Sequence, residues 1–197
     1  SLVALLKDAF LPNLVQTLEN TPSIIHGGPF ANIAHGCNSV VCTKTALNYA
    51  DYVITEAGFG SDTGAMKFLD MLCRKGNLYP DVIVLNCTIR ALKYHGNGDL
   101  KEGIKNLEYH ILNMSKFTSN LIISINKFND DTEEDINIIK ELGNKYNLKV
   151  CLSTMFSDGE DGCIDLANEI TKMGPNTKHF DIYDLNLFLF LKSEFYR

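Results

Sequence analysis

The 197-residue chain has no apolar run of the roughly 18–20 residues needed to cross a bilayer, no surplus of positive charge, no C-x-x-C pair and no tryptophan. Its longest apolar stretch, 185–191, lies near the end and is interrupted by Asn186. Eighteen Lys and Arg against 24 Asp and Glu leave a net charge of -6. That balance argues against non-specific nucleic-acid binding, whose affinity comes from cations meeting phosphates. The six cysteines (Cys37, Cys42, Cys73, Cys87, Cys151 and Cys163) match no zinc-ligand spacing. They read as reduced thiols of a cytoplasmic chain. The first residues lack both an initiator Met and the basic-then-apolar layout of a secretion signal, so they read as a chain entered partway through.

What is present is globular. Apolar residues make up 45% and charged residues 21%, which suits one domain with a core of its own. Short apolar or β-branched runs at 23–25, 52–55, 82–85, 121–125 and 149–152 read as strands buried on both faces. Between them, helical spacing covers about 31–48, 64–74, 99–114, 133–146 and 161–173. Thr132 before Glu133, Glu134 and Asp135 is a hydroxyl cap with acidic residues in the first turn. Gly174-Pro175 is a helix stop. The alternation predicts an α/β fold, a parallel sheet with helices on both faces, incomplete at both ends. In such sheets ligands bind beyond the carboxyl ends of the strands, so the loops there are the places to look for chemistry.

The first loop, His26-Gly27-Gly28-Pro29-Phe30, leads toward a helix. Paired glycines let bare N–H groups approach an anion, or they make an ordinary tight turn. His26 reads as a ligand contact or, as is more usual for a lone His, a structural hydrogen-bonder. The second loop, Glu56-Ala57-Gly58-Phe59-Gly60-Ser61-Asp62, adds two carboxylates. Glu56 and Asp62 could hold Mg²⁺ or orient an amine; alternatively Asp62 caps its helix and Glu56 is solvated. After the third strand, Arg90 and Lys93 lie three apart. A guanidinium there recognises carboxylate or phosphate, or makes a surface ion pair. Asn126-Lys127-x-x-Asp130 after the fourth strand is of the type that reads bases in some nucleotide-binding proteins, which keeps an unrelated nucleotide switch open as a reading. Phe128 and Phe156 stand at loop starts as two walls of a slot for a flat ring, or as core.

Taken together, these stretches resemble the formate–tetrahydrofolate ligase family. The carriers are Gln16-Thr17-Leu18-Glu19-x-Thr21-Pro22 with 26–36, then 55–64, then Thr88-Ile89-Arg90-Ala91-Leu92-Lys93-x-His95-Gly96, and Asn126-x-Phe128-x-x-Asp131-Thr132. Ser61 stands where the family usually has Ala, and Asn97 replaces a glycine. The resemblance covers residues 1–185; 186–197 form a divergent apolar tail. It implies a P-loop NTPase-like sheet and an ATP-dependent ligase of one-carbon metabolism. Its substrates would be formate, ATP with Mg²⁺, and tetrahydrofolate, with a monovalent cation nearby and a homo-oligomeric full-length protein.

By position, Gly28, Pro29, Phe30 and Arg90 take the catalytic part beside formyl phosphate. His26, Gly27, Glu56, Gly58, Phe59, Gly60 and Asp62 line the substrate, and Asn126 and Asp131 face the cofactor. Phe128 and Phe156 sandwich the folate ring, Phe156 replacing a Trp of the family pattern. The family's G-x-G-K-[ST] nucleotide loop is not found in these 197 residues. The expectation is therefore a chain without ligase turnover by itself, or a non-catalytic folate- and anion-binding subunit.

Overall fold

The computed structural model describes residues 1–28 and 36–178. Pro29, Phe30 and the tail 186–197 fall outside them. The chain divides into two compact units, with the described residues 1–78 in the first and 79–178 in the second.

The second unit is the α/β body. Strands β3 (Ile83–Cys87), β4 (Leu121–Asn126) and β5 (Lys149–Ser153) form a parallel sheet in the order β3-β4-β5. Ile123 pairs with Leu85 on one side and Val150 on the other. The central strand is buried on both faces from Leu121 to Ile125, as its unbroken apolar run predicts. Helix α5 (Leu100–Met114) buries Leu100, Leu107, Ile111 and Met114 at helical spacing. Asp99 caps it by accepting from the Lys101 N–H at 2.9 Å. Helix α6 (Glu133–Lys145) buries Ile136, Ile139 and Leu142. Thr132 is its cap, its hydroxyl accepting from the Asp135 N–H at 3.2 Å.

Glu108 of α5 accepts from Lys145 at 2.6 Å and from the Tyr146 hydroxyl at 2.5 Å, which ties α5 to the end of α6. Gly143 of α6 lies against the Val150 side chain of β5. Helix α8 (Ile164–Thr171) also packs against β5.

Below the amino ends of the strands, buried Asn176 joins three segments. Its amide donates to the carbonyls of Pro80 and Phe117, and its oxygen accepts from the Ser119 N–H. Among the described residues no helix is long and apolar enough to cross a membrane.

The first unit differs from the sequence expectation. The run at 23–25 is not a parallel strand: β2 (Pro22–Ile25) pairs antiparallel with β1 (Asn13–Gln16). The reason is local. The Thr17 N–H donates to the Thr21 carbonyl at 3.0 Å, and Asn20 supplies the left-handed residue at φ +63°. A short loop of this kind closes a hairpin, and no helix intervenes to cross over. Residues 52–55 form no strand, and Ile54 is almost fully exposed. Helix α1 (Leu2–Leu6) opens the unit. Helix α2 (Val40–Leu47) begins at its Ser39 cap, so 36–39 are not helical as the spacing predicted. The helix expected over 64–74 is realised as two π-helical turns, Ser61–Ala65 and Phe68–Cys73, continuing into α3 (Arg74–Gly76).

Candidate functional site

Because β3, β4 and β5 are parallel, their carboxyl ends open on one edge. The segment after β3 is itself helical: α4 (Ile89–His95) is capped by Thr88, whose hydroxyl accepts from the Ala91 N–H at 3.1 Å. Arg90 and Lys93 therefore sit one turn apart on a helix, on neighbouring parts of one face. Both reach the segment after β4. Arg90 donates to Asp130 through Nη2 at 2.6 Å and Nε at 3.3 Å. Lys93 donates to Asp135 at 2.8 Å. Asp135 is buried, and the hydrogen bond from Lys93 holds its carboxyl below the usual range.

The Arg90 guanidinium also lies over the Phe128 ring, 4.3 Å from its centre. Phe128 is fixed from behind: Asp131 accepts the Phe128 N–H at 2.8 Å, and the Asp131 N–H donates to the Phe128 carbonyl at 3.1 Å. Asp131 thus shapes the loop. Asn126 ends β4 opposite Ser153 of β5. The Lys127 N–H extends that pairing to the Ser153 carbonyl at 2.9 Å, and its ammonium lies 3.8 Å from Glu133.

After β5, Phe156 lies in the single turn α7 (Met155–Asp158) and is 99% exposed. A benzyl side chain left wholly in water is not core. A cavity of about 380 Å³ lies behind this turn, lined by Leu152, Thr154, Asp161, Gly162, Ile164 and Asp165. Cys87, at the end of β3, is no nucleophile: burial, and next the Asp131 charge, push its thiol up to about 12.

In the first unit, His26 is a structural hydrogen-bonder. Its Nε2 donates to the Ala9 carbonyl at 3.0 Å, which leaves Nδ1 to accept the Ser39 hydroxyl at 2.7 Å. Gly27 takes φ +76°, a conformation that favours glycine. No described atom approaches within 4 Å of where a side chain on Gly27 or Gly28 would begin. The glycines of the second loop close on each other: a Cβ on Gly64 would fall 1.7 Å from the Gly58 carbonyl oxygen. The Gly58 N–H is already spent on the Gly36 carbonyl at 2.6 Å.

Phe59 holds φ +65° while 71% exposed, a strained state for a bulky residue. Gly60 precedes the first π-helical turn as its cap residue. Asp62 lies exposed in that turn without making the capping bond, and Glu56 is exposed. Among the described residues no group of three or more His, Cys, Asp or Glu is placed to hold a metal ion.

Asp130 and Asp135 pair with Arg90 and Lys93 at this rim; the sequence pattern offers Asp130 only as part of a base-reading run and Asp135 only as an acidic residue of a helix's first turn. Their partners lie 40 and 42 positions away. The available signal was charge: two cations one turn apart, facing an acidic run from 130 to 135.

The family model described as formate–tetrahydrofolate ligase matches residues 1–194. A curated formate–tetrahydrofolate ligase from Campylobacter concisus (strain 13826) is 53% identical over 180 residues, covering 85% of this chain and 33% of the relative. The chain thus spans about a third of that relative's length.

Proposed function

Since the chain belongs to the formate–tetrahydrofolate ligase family, we propose that it carries the folate-ring and formyl-phosphate portion of an ATP-dependent ligase. The observation that carries this reading is the rim of the second unit. There Phe128 is backed by a guanidinium, and Phe156 is fully exposed on the adjacent strand end. Two aromatic faces with a fixed cation suit a flat heterocycle bearing anionic groups.

In the reaction proposed, a formate oxygen attacks the γ-phosphorus of ATP and ADP leaves, giving formyl phosphate. N10 of tetrahydrofolate then attacks the formyl carbon, phosphate departs, and N10 loses its proton. Arg90 is the cation nearest the ring wall. Three of its five N–H groups point away from Asp130 and can meet a phosphate or carboxylate oxygen. The open backbone at Gly27 and Gly28 supports anion approach, with Pro29 and Phe30 beside them in sequence. Glu56, Phe59, Gly60 and Asp62 are proposed to line the substrate, and Asn126 to face the nucleotide. Asp131 acts by holding the Phe128 turn. Any Mg²⁺ would come with the ATP phosphates, which one or two carboxylates such as Glu56 and Asp62 suffice to complement.

No Gly-Lys-Ser or Gly-Lys-Thr, the loop type that cradles β- and γ-phosphates, occurs in the 197 residues. The chain by itself is therefore proposed to bind tetrahydrofolate without turning over. Calorimetric titration tests this. Tetrahydrofolate binds the chain, Phe128→Leu and Phe156→Leu each weaken it about three- to tenfold, and ATP with formate yields no 10-formyltetrahydrofolate. Unchanged affinity in both variants, or turnover above background, overturns the reading.

A further inference from the structure

The pairing of Asp130 with Arg90 is exposed, with 63% and 58% of the two side chains open to water. An exposed ion pair adds little to stability. Its geometry is nonetheless specific. Two parallel contacts, Nη2 to Oδ1 and Nε to Oδ2, hold one edge of the guanidinium, and its carbon lies 4.3 Å over the Phe128 ring. The carboxylate is itself placed by its neighbours. Asp131 locks the turn that begins at Phe128, and Thr132 caps α6. A lysine in place of Arg90 could make neither the fork nor the flat stack.

We propose that Asp130 is a positioning residue of the ring slot. It holds the Arg90 guanidinium over one face of Phe128, with the other face for the folate ring and the outer Nη1–Nη2 edge for the ligand's anionic group. This rests on the folate reading above and adds a residue to it. Without Asp130, Arg90 is a mobile surface cation, the Phe128 ring loses its fixed backing, and the ligand must order both on binding. That cost falls on affinity and leaves the fold intact.

The test uses the 197-residue chain and two readouts. By NMR, the Arg90 Nε–H proton of the unaltered chain is displaced by the ring current of Phe128. Asp130→Asn and Phe128→Leu both abolish the displacement, and Asp130→Glu restores part of it. By calorimetry, Asp130→Asn weakens tetrahydrofolate about three- to tenfold at an unchanged melting temperature. Arg90→Lys does the same, and the double variant is no worse than either single one.

An Arg90 proton unmoved by Asp130→Asn overturns the proposal. So does a shifted proton with tetrahydrofolate affinity kept within twofold, or full additivity of the two variants. Failure of the folate reading looks different. If the unaltered chain or Phe128→Leu shows no tetrahydrofolate effect, the slot is wrong, and the NMR arm still decides whether Asp130 places Arg90.

Discussion

The two units are packed very differently. Residues 79–178 bury a continuous set of large apolar side chains, with Ile122, Ile123, Ile125, Ile136, Ile139 and Ile111 all at zero exposure. Among the described residues of the first unit, the buried apolar set is Cys37, Cys42, Leu69, Leu72 and Cys73. Around them Leu2, Val3, Leu5, Leu14 and Leu18 stand in water. Each exposed leucine forgoes the stabilisation that burial gives, about 1.5–3 kcal/mol for a full side chain. A parallel strand between helices gains cover on both faces from its own crossovers, whereas a two-stranded hairpin with short helices covers little of itself. A chain segment can thus hold family motifs without holding its own core.

The largest effect that sharpens this contrast is at the centre of the sheet. Ile123→Ala removes a fully buried side chain of β4 and costs about 2–5 kcal/mol, read as a drop in the urea midpoint of the second unit. Asn176→Ala follows, at about 1–3 kcal/mol, because it removes the donor to the carbonyls of Pro80 and Phe117 and the acceptor of the Ser119 N–H. Hydrogen exchange should show their loss at the amino ends of the strands.

Asp135→Asn costs about 1 kcal/mol and carries a pH signature. The folded carboxyl lies below its ordinary value, chiefly through Lys93. Its contribution is therefore complete above the unfolded value, near 4, and disappears as the pH falls through the lower folded one. Acid unfolding of the variant should be shallower over that interval. The smallest effect tests the other side of the contrast: Leu18→Ser, at a fully exposed hairpin position, changes stability by less than about 0.5 kcal/mol. It should reduce binding of a hydrophobic dye. A loss comparable with that of Ile123→Ala would erase the distinction between the units.

Legibility in the sequence follows the same division. Strand β4 and helices α5 and α6 were readable because strong apolar periodicity and nearby caps agree, and Thr132 performs the capping its position predicts. The hairpin was not. Leu14-Val15 sits between polar residues, and 22–25 looks like any buried strand until its partner is known. Helix α4 is only seven residues long, too short for periodicity to separate it from a loop. At the site, the aromatic and cationic residue types were legible. The pairing of Arg90 and Lys93 with Asp130 and Asp135 was not, because it depends on which strands are neighbours in the sheet. The resemblance places His26 at the substrate and the residue alone offers a structural role; its ring bonds to Ala9 and Ser39, partners that only the folded chain brings near.

The bareness of Phe156 has an optical consequence. The chain contains no indole, so its near-ultraviolet emission comes from tyrosine alone. Replacing that one solvent-facing ring with tryptophan gives a single red-shifted emitter at the sheet edge against a dark background. Any molecule that settles there then reports its own arrival by quenching or blue-shifting the light, with no dye attached and no packed residue disturbed.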